Sequence, residues 1–221
     1  MLKNKPLFIT ATDTGVGKTI TTCVLGALLQ NQGHDVGVMK PVQSAGDDAQ
    51  FLKKSLGLED DLKDINPYYA PEPLSPHWAL KRAKIKFNIK HLQACLKKLQ
   101  SRHEVVLIEG AGGLMVPLKD FYYNADLIAD LKADLIIVAR LGLGTLNHTL
   151  LTINEARRRG LKIKGLVFCQ TSKASLGLPE KRNPSDIVKL SGIKLIGIIP
   201  YLKSFNRKNI LRQCKNLKFK L

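Results

Sequence analysis

Residues 11–19 read ATDTGVGKT and follow directly on the apolar run LFIT. A strand that ends in small residues and leads into a helix at GKT aims backbone N–H groups and the positive end of the helix dipole at one point. That arrangement suits a polyphosphate. The strict spacing G-x-x-x-x-G-K-[ST] would need glycine at position 12, where the chain has Thr12. The order strand, small-residue turn, helix therefore carries the reading, not the literal count. Lys18 is placed to reach the β and γ phosphates and the Thr19 hydroxyl to ligate Mg²⁺. Thr14, Gly15, Val16, Gly17 and Ile20 complete the expected phosphate contacts. The competing reading is a glycine-containing turn before an ordinary helix, and GKT at a strand-to-helix junction argues against it.

Outward from this stretch, short β-branched runs alternate with longer amphipathic segments, the pattern of a mostly parallel central sheet with helices on both faces. The strands are expected at PLFITA, DVGVMK, EVVLIEG, DLIIVAR, KIKGLVFC and IKLIGIIP. Helices are expected over residues 18–32, 47–56, 89–101, 125–131, 145–159 and 184–190. Gly33 and Gly160 fall where helix C-caps belong, and Ser185 or Asn183 is expected to cap the last helix. The proline-rich stretch INPYYAPEPLSPHWAL breaks the alternation and reads as an ordered irregular excursion. The polar stretch TSKASLGLPEKRNP reads as a mobile loop. With no repeat or linker, residues 1–221 read as one α/β domain, long enough to bury about 70% of its unfolded surface.

No apolar run approaches the roughly 20 residues of a membrane span. The start, MLKNKPLFIT, lacks a signal-like apolar core, so a cytoplasmic protein is expected. Cys23, Cys95, Cys169 and Cys214 are widely spaced, without metal-ligand patterning, and are expected to be reduced, with Cys95 on the apolar stripe of its helix. The net charge of +17 is mainly lysine spread through amphipathic segments such as KRAKIKFNIK. Solvated helix faces account for it, and neither nucleic acid nor a membrane is expected as a partner.

An Mg-nucleotide site needs a carboxylate from another strand end on the same side of the sheet. Glu109 closes EVVLIEG, and Gly110, Ala111, Gly112 and Gly113 follow, permitting close backbone approach to a ligand. Lys40 stands at the end of DVGVMK, where a cation can neutralise a transferring phosphoryl group or a substrate carboxylate. Ser44 offers a hydrogen bond nearby, and Asp47 or Asp48 a second metal contact. A surface lysine and two helix-capping aspartates are the alternative.

Taken in order, GKT with its extended front, KPVQSA, EPLSPH, EGAGGLMVPL, LGTLNHTLLT and IIPYL resemble the dethiobiotin synthase family over essentially the whole chain. In that family the phosphate loop carries one extra residue, so its leading glycine aligns with Ala11. The resemblance implies a P-loop NTPase-like fold and a cytosolic homodimer. It implies that ATP and Mg²⁺ are used to close the ureido ring of dethiobiotin from 7,8-diaminononanoate and CO₂ (or bicarbonate). The substrate amine is carbamoylated, the carbamate takes the γ-phosphate, and the second amine attacks the mixed anhydride. Lys18 and Lys40 would flank the reacting groups as the catalytic residues. Thr19, Asp48 and Glu109 would hold Mg²⁺, Asp48 rather than Asp47 because the family's aspartate precedes alanine. Ser44 would bind the diamine. Gly144, Thr145 and Asn147, at a helix start from the other subunit, would receive its carboxylate.

Three positions depart from the family. Ala11 replaces the leading glycine, which is tolerable at negative φ, the conformation expected here. Gly15 stands where the family often has an acidic residue. Cys169 stands where the family commonly has an asparagine that pairs with adenine. Gln170 and the backbone of Pro200, Tyr201 and Leu202 are the expected substitutes. Two other functions fit the same elements: a partition- or septum-type regulatory ATPase, and another small-molecule kinase or ligase on this scaffold.

Overall fold

All six apolar runs become strands of one parallel sheet, in a computed structural model that describes residues 5–219 and 221. The reading of the first residues as leader-free falls partly on residues 1–4, outside the described residues. In chain order the elements are β1 (Leu7–Ala11), α1 (Lys18–Asn31), β2 (Val36–Met39), β3 (Val42–Ser44), α2 (Asp48–Leu56), α3 (Leu62–Ile65) and β4 (Tyr68–Ala70). Then come α4 (Pro76–Arg82), α5 (Ile89–Arg102), β5 (Val105–Glu109), β6 (Pro117–Lys119), β7 (Tyr122–Tyr123) and α6 (Asn124–Asp130). The chain ends with β8 (Asp134–Arg140), α7 (Thr145–Arg158), β9 (Ile163–Cys169), α8 (Leu178–Ser191), β10 (Leu195–Ile199) and α9 (Arg207–Gln213).

The main sheet runs in the order β10-β9-β8-β1-β5-β2. β1 lies between β5, with Leu7 opposite Leu107, and β8, with Leu7 opposite Asp134. The chain builds β2 and β5 on one side of β1 and then crosses to β8 on the other. The winding thus reverses beside β1, and open α/β sheets bind ligands outside the strand C-termini at such a reversal.

Burial on both faces explains why these strands read as continuous apolar runs. Alternate residues feed two cores. Phe8, Met39, Ile108 and Phe168 join Leu92 and Leu99 of α5 and Ile187 of α8 on one face. Leu7, Ile9, Val38 and Leu107 join Val24 and Leu25 of α1, Leu52 of α2 and Ile210 of α9 on the other. All four cysteines are free and buried, Cys95 on α5 as expected. Among the described residues no helix is long and apolar enough to cross a membrane.

Two expectations are corrected. The proline-rich excursion is not irregular: β4 pairs in parallel with β3, Val42 opposite Tyr68, and Pro76 opens α4. Proline suits that position because its fixed φ is already helical and its missing N–H would be unpaired anyway. The last predicted helix begins six residues earlier, at Leu178, and takes in half of the stretch read as a mobile loop. Gly177 is its N-cap, donating its N–H to Glu180 at 3.0 Å, and Pro184 lies inside. Neither Asn183 nor Ser185 caps it. The Asn183 amide instead donates to the carbonyls of Leu141 and Gly142, at 2.9 and 3.2 Å, and so fixes the loop after β8. The short helices α3 and α9 and the β6–β7 hairpin have no counterpart in the sequence reading. Gly33 and Gly160 stand just past the ends of α1 and α7 at positive φ, 92° and 67°, as C-terminal caps require.

Away from the strand C-termini, His103 clamps three segments. Its Nδ1 lies 2.9 Å from Asp35 and its Nε2 2.7 Å from Asp60, which Arg102 also reaches at 3.2 Å. Two carboxylates facing both ring nitrogens call for the doubly protonated imidazolium. Burial opposes that charge, but the bonds from Asp35 and Asp60 outweigh it and raise the pKa above the ordinary value. The clamp therefore contributes fully below the unfolded pKa of about 6.5 and fades as pH climbs through the raised folded value. Thermal melts of wild type and His103→Asn should differ most at about pH 6 and converge towards pH 9. A constant gap would rule out the ionised clamp.

Candidate functional site

Ala11 ends β1, fully buried, and is not among the residues with positive φ, as expected of an alanine replacing glycine there. The irregular backbone falls on glycines instead, Gly15 at φ 73° and Gly17 at 102°. Gly17 is the N-cap of α1, which has no side-chain cap and no acidic residue in its first turn. Its leading N–H groups are left for an anion. Val16 is buried in the core and can offer only backbone. Lys18 is nearly buried, its Nζ 3.4 Å from the Asp13 carbonyl. Burial, with a smaller push from Lys40, lowers its pKa to about 8 despite the nearby Glu109 and Asp48 carboxylates.

Around that turn the fold gathers the other predicted groups. Lys40 leaves the end of β2, Glu109 ends β5, and Asp48 opens α2. The Lys40 ammonium lies 2.5 Å from Glu109 Oε1 and 2.8 Å from Asp48 Oδ2. The Thr19 hydroxyl donates to the same Glu109 Oε1 at 2.8 Å. Glu109 is 0% exposed, yet its Oε2 has no hydrogen-bond partner. Burial disfavours the Lys40 charge, but the two carboxylates more than offset this and hold its pKa above the usual value. Asp47 is the N-cap of α2 and makes no side-chain capping bond, while Asp48 carries the contact.

These groups border a cavity of about 690 Å³. Thr14, Gly15, Ile20, Ala111 and Gly112 line it, as do Pro73–Pro76, from the link after β4 to the start of α4. Ser44 also lines it, its buried Oγ unpartnered. Gly110 does not line it. A Cβ there would stand 2.7 Å from the Phe8 ring, so the glycine permits packing rather than contact with the cavity.

A second, smaller cavity of about 200 Å³ opens beside Gly15, Gly17 and Ile20. Cys169, Gln170, Pro200, Tyr201 and Leu202, the expected base contacts, all line it. Burial pushes the Cys169 thiol up to about 12, and its sulfur lies 3.2 Å from the Thr21 hydroxyl. Gln170 is committed internally: its amide donates to the Ala174 carbonyl at 2.9 Å. Gly144, Thr145 and Asn147 lie at the start of α7, outside the large cavity. Thr145 is buried against Thr149, whereas Asn147 is exposed.

Two positioning residues were missed by the sequence reading. Asn124, buried at the start of α6, donates to the carbonyls of Ala111 and Gly113 at 2.7 and 2.8 Å and fixes the loop after Glu109. Gln43 bridges the Gly46 carbonyl, at 2.7 Å, and the Ala49 N–H, at 3.0 Å, shaping the turn that presents Asp48. A lone amide side chain gives no sequence signal, and only the KPVQS run around Gln43 hinted at one.

Residues 5–209 match the family model described as AAA domain. The ATP-dependent dethiobiotin synthetase BioD of Methanococcus vannielii is 37% identical over 201 residues, covering 90% of this chain and 95% of that protein. The enzyme of the same name from Bacillus licheniformis is 38% identical, covering 96% of this chain and 92% of its own. The chain belongs to the ATP-dependent dethiobiotin synthetase family. Its fold is shared more widely. The septum site-determining protein MinD of Pyrococcus horikoshii, solved with Mg-ADP, superposes with a TM-score of 0.61 at 16% identity, covering 97% of this chain and 90% of that one. A ParA family ATPase from Chlorobium tepidum gives 0.55 at 14% identity, covering 97% and 94%. At such identity the likeness concerns architecture alone, whereas the dethiobiotin synthetases match nearly end to end in sequence.

The dethiobiotin synthetase site has a donor set that fits Mg²⁺: the Thr19 hydroxyl and the Asp48 and Glu109 carboxylates, Glu109 keeping one buried oxygen without a partner. Magnesium takes oxygen ligands, few of them from protein, and leaves positions for water and phosphate.

Proposed function

We propose that this protein closes the ureido ring of dethiobiotin from 7,8-diaminononanoate and CO₂ with ATP, acting as a cytoplasmic homodimer. The carrying observation is the Lys40–Glu109–Asp48–Thr19 cluster, which borders a cavity also lined by the phosphate turn and Ser44. The family's nearly full-length match supports this reading of the substrate class. Thr19, Asp48 and Glu109 would hold Mg²⁺, which when bound neutralises charge on the transferring phosphoryl oxygens.

The remaining work falls to the chain itself. The N–H groups of Gly15 to Ile20 cradle the phosphates, and Lys18 lies over them. Carbamoylation of one substrate amine yields a carbamate whose oxygen attacks the γ-phosphate, releasing ADP. Lys40 faces the negative charge spread over that transfer. The second amine then attacks the carbamoyl carbon and expels phosphate, forming the ring. Ser44, with its unpaired hydroxyl, accepts or donates to the diamine. The N-terminus of α7 from the partner subunit, with Gly144, Thr145 and Asn147, takes the carboxylate. The test is product mass together with ADP: both should require diamine and bicarbonate. ADP release indifferent to omission of the diamine would overturn the assignment.

The smaller cavity sets nucleotide choice. Its walls are Ile20, Tyr201, Leu202 and Phe205; of its polar side chains, Cys169 and Gln170 are engaged within the protein, while Thr171 is exposed. Apolar stacking tolerates any base, whereas strong rejection needs hydrogen bonds to the base edge. Replacing ATP with GTP or CTP is expected to lower kcat/KM by no more than about tenfold. A 1,000-fold preference for ATP in steady-state assays would contradict it.

A further inference from the structure

We infer that the Lys40 ammonium and the metal compete for one pair of carboxylates, so that metal loading releases Lys40 to the transferring phosphoryl group. This rests on the reading of Thr19, Asp48 and Glu109 as the metal set. The ammonium touches both acidic members of that set, at 2.5 and 2.8 Å, and the third member, Thr19, is bonded to the same Glu109 oxygen. A magnesium ion binds oxygens at about 2.1 Å. A cation at that range on these oxygens and an ammonium at hydrogen-bond range on the same ones would repel, most strongly at the buried Glu109.

The contacts favour the exchange. Lys18 also faces these carboxylates, but Lys40 is the ammonium bonded to both, and Glu109, which is 0% exposed, keeps one oxygen unpartnered. A divalent ion would bring twice the charge of Lys40 to the same oxygens. Lys40 has somewhere to go: it borders the same cavity as Lys18 and Ser44, and its stem is flexible. Before loading, the lysine fills the acidic pair. Afterwards it faces the cavity. A metal-free protein would then present the γ-phosphate with neither the metal nor Lys40, which ties metal arrival to assembly of the reactive site.

The test uses Mn²⁺ alone, without nucleotide, and reads binding by electron paramagnetic resonance or calorimetry. Lys40→Met should bind Mn²⁺ at least tenfold more tightly than wild type, because the competing cation is gone and the carboxylates are left unbalanced. The gain should vanish when Glu109→Gln is added. Lys40→Met leaves buried charge uncompensated and should lower Tm, so Mn²⁺ should raise its Tm more than it raises that of wild type. Lys40→Gln, which keeps a hydrogen bond without the charge, serves if the methionine variant does not fold. Equal or weaker affinity, including undetectable binding in both proteins at millimolar Mn²⁺, overturns the exchange, as does a gain that survives Glu109→Gln. Wild type that forms no dethiobiotin would sink the functional reading alone. Equal Mn²⁺ affinities would sink this inference and leave ring closure standing.

Discussion

Lys40→Met is expected to lower kcat for dethiobiotin formation by about 10³-fold, the scale lost when one preorganised donor to developing negative charge is removed. The KM for Mg-ATP should be no higher than that of wild type. The two halves of this expectation have separate causes. In the proposed mechanism the phosphates would be gripped by the turn at residues 15–20 and by Lys18, none of which depends on a bond from Lys40. The charge that develops during transfer would then face Lys40 and Ser44, which both line the cavity. Phosphoryl transfer offers little covalent work for a protein to do, so loss of a positioned cation acts on rate more than on binding. Lys40→Arg should not restore activity, since a planar guanidinium cannot replace a compact ammonium between two carboxylates. Steady-state kinetics with product mass would decide. A large rise in KM with kcat preserved would place Lys40 in nucleotide binding instead.

Much of this candidate site was readable in the sequence because the fold makes position and chemistry coincide. A parallel strand buried on both faces is a continuous apolar run, so its last residue is easy to find, and Lys40 and Glu109 follow or close two such runs. Asp48 was harder, as either of two adjacent aspartates could cap a helix; the contact with Lys40 distinguishes them. The remainder was hidden for physical reasons. β3 and β4 are three residues each, too short for a period of two to register, and their pairing depends on a neighbour distant in sequence. Pro184 misled because proline favours a helix start, while here it sits in the seventh position of α8. Asn124 and Gln43 act through backbone carbonyls and N–H groups brought close only by folding. Asn147 reaches no cavity group within its own chain, so a substrate role for it depends on a partner subunit that a single chain does not supply.

Gly17→Ala is expected to weaken nucleotide binding by about 100-fold or more, because two separate costs of about 1–2 kcal/mol each fall on one methyl group. The first is backbone: Gly17 has φ 102°, beyond the left-handed region that an alanine can occupy even at a penalty. The second is space: the new Cβ would lie 2.9 Å from both Cβ and Sγ of Cys169, atoms of a buried strand end rather than of a flexible tip. Relief can come only by moving the turn, whose N–H groups are the proposed phosphate donors. Gly15→Ala provides the internal comparison. Its φ of 73° carries the backbone cost, but nothing lies within 4 Å of its added methyl. Its loss should stay near tenfold, about 1.4 kcal/mol. The two costs at Gly17 can be separated with Cys169→Gly, which removes both atoms that the methyl would meet. Added to Gly17→Ala, it should recover the steric share and leave the backbone share. Nucleotide titration by calorimetry, with thermal melts to confirm folding, reads all four proteins. If Gly17→Ala and Gly15→Ala lose equally, the approach of Cys169 to the phosphate turn does not constrain binding.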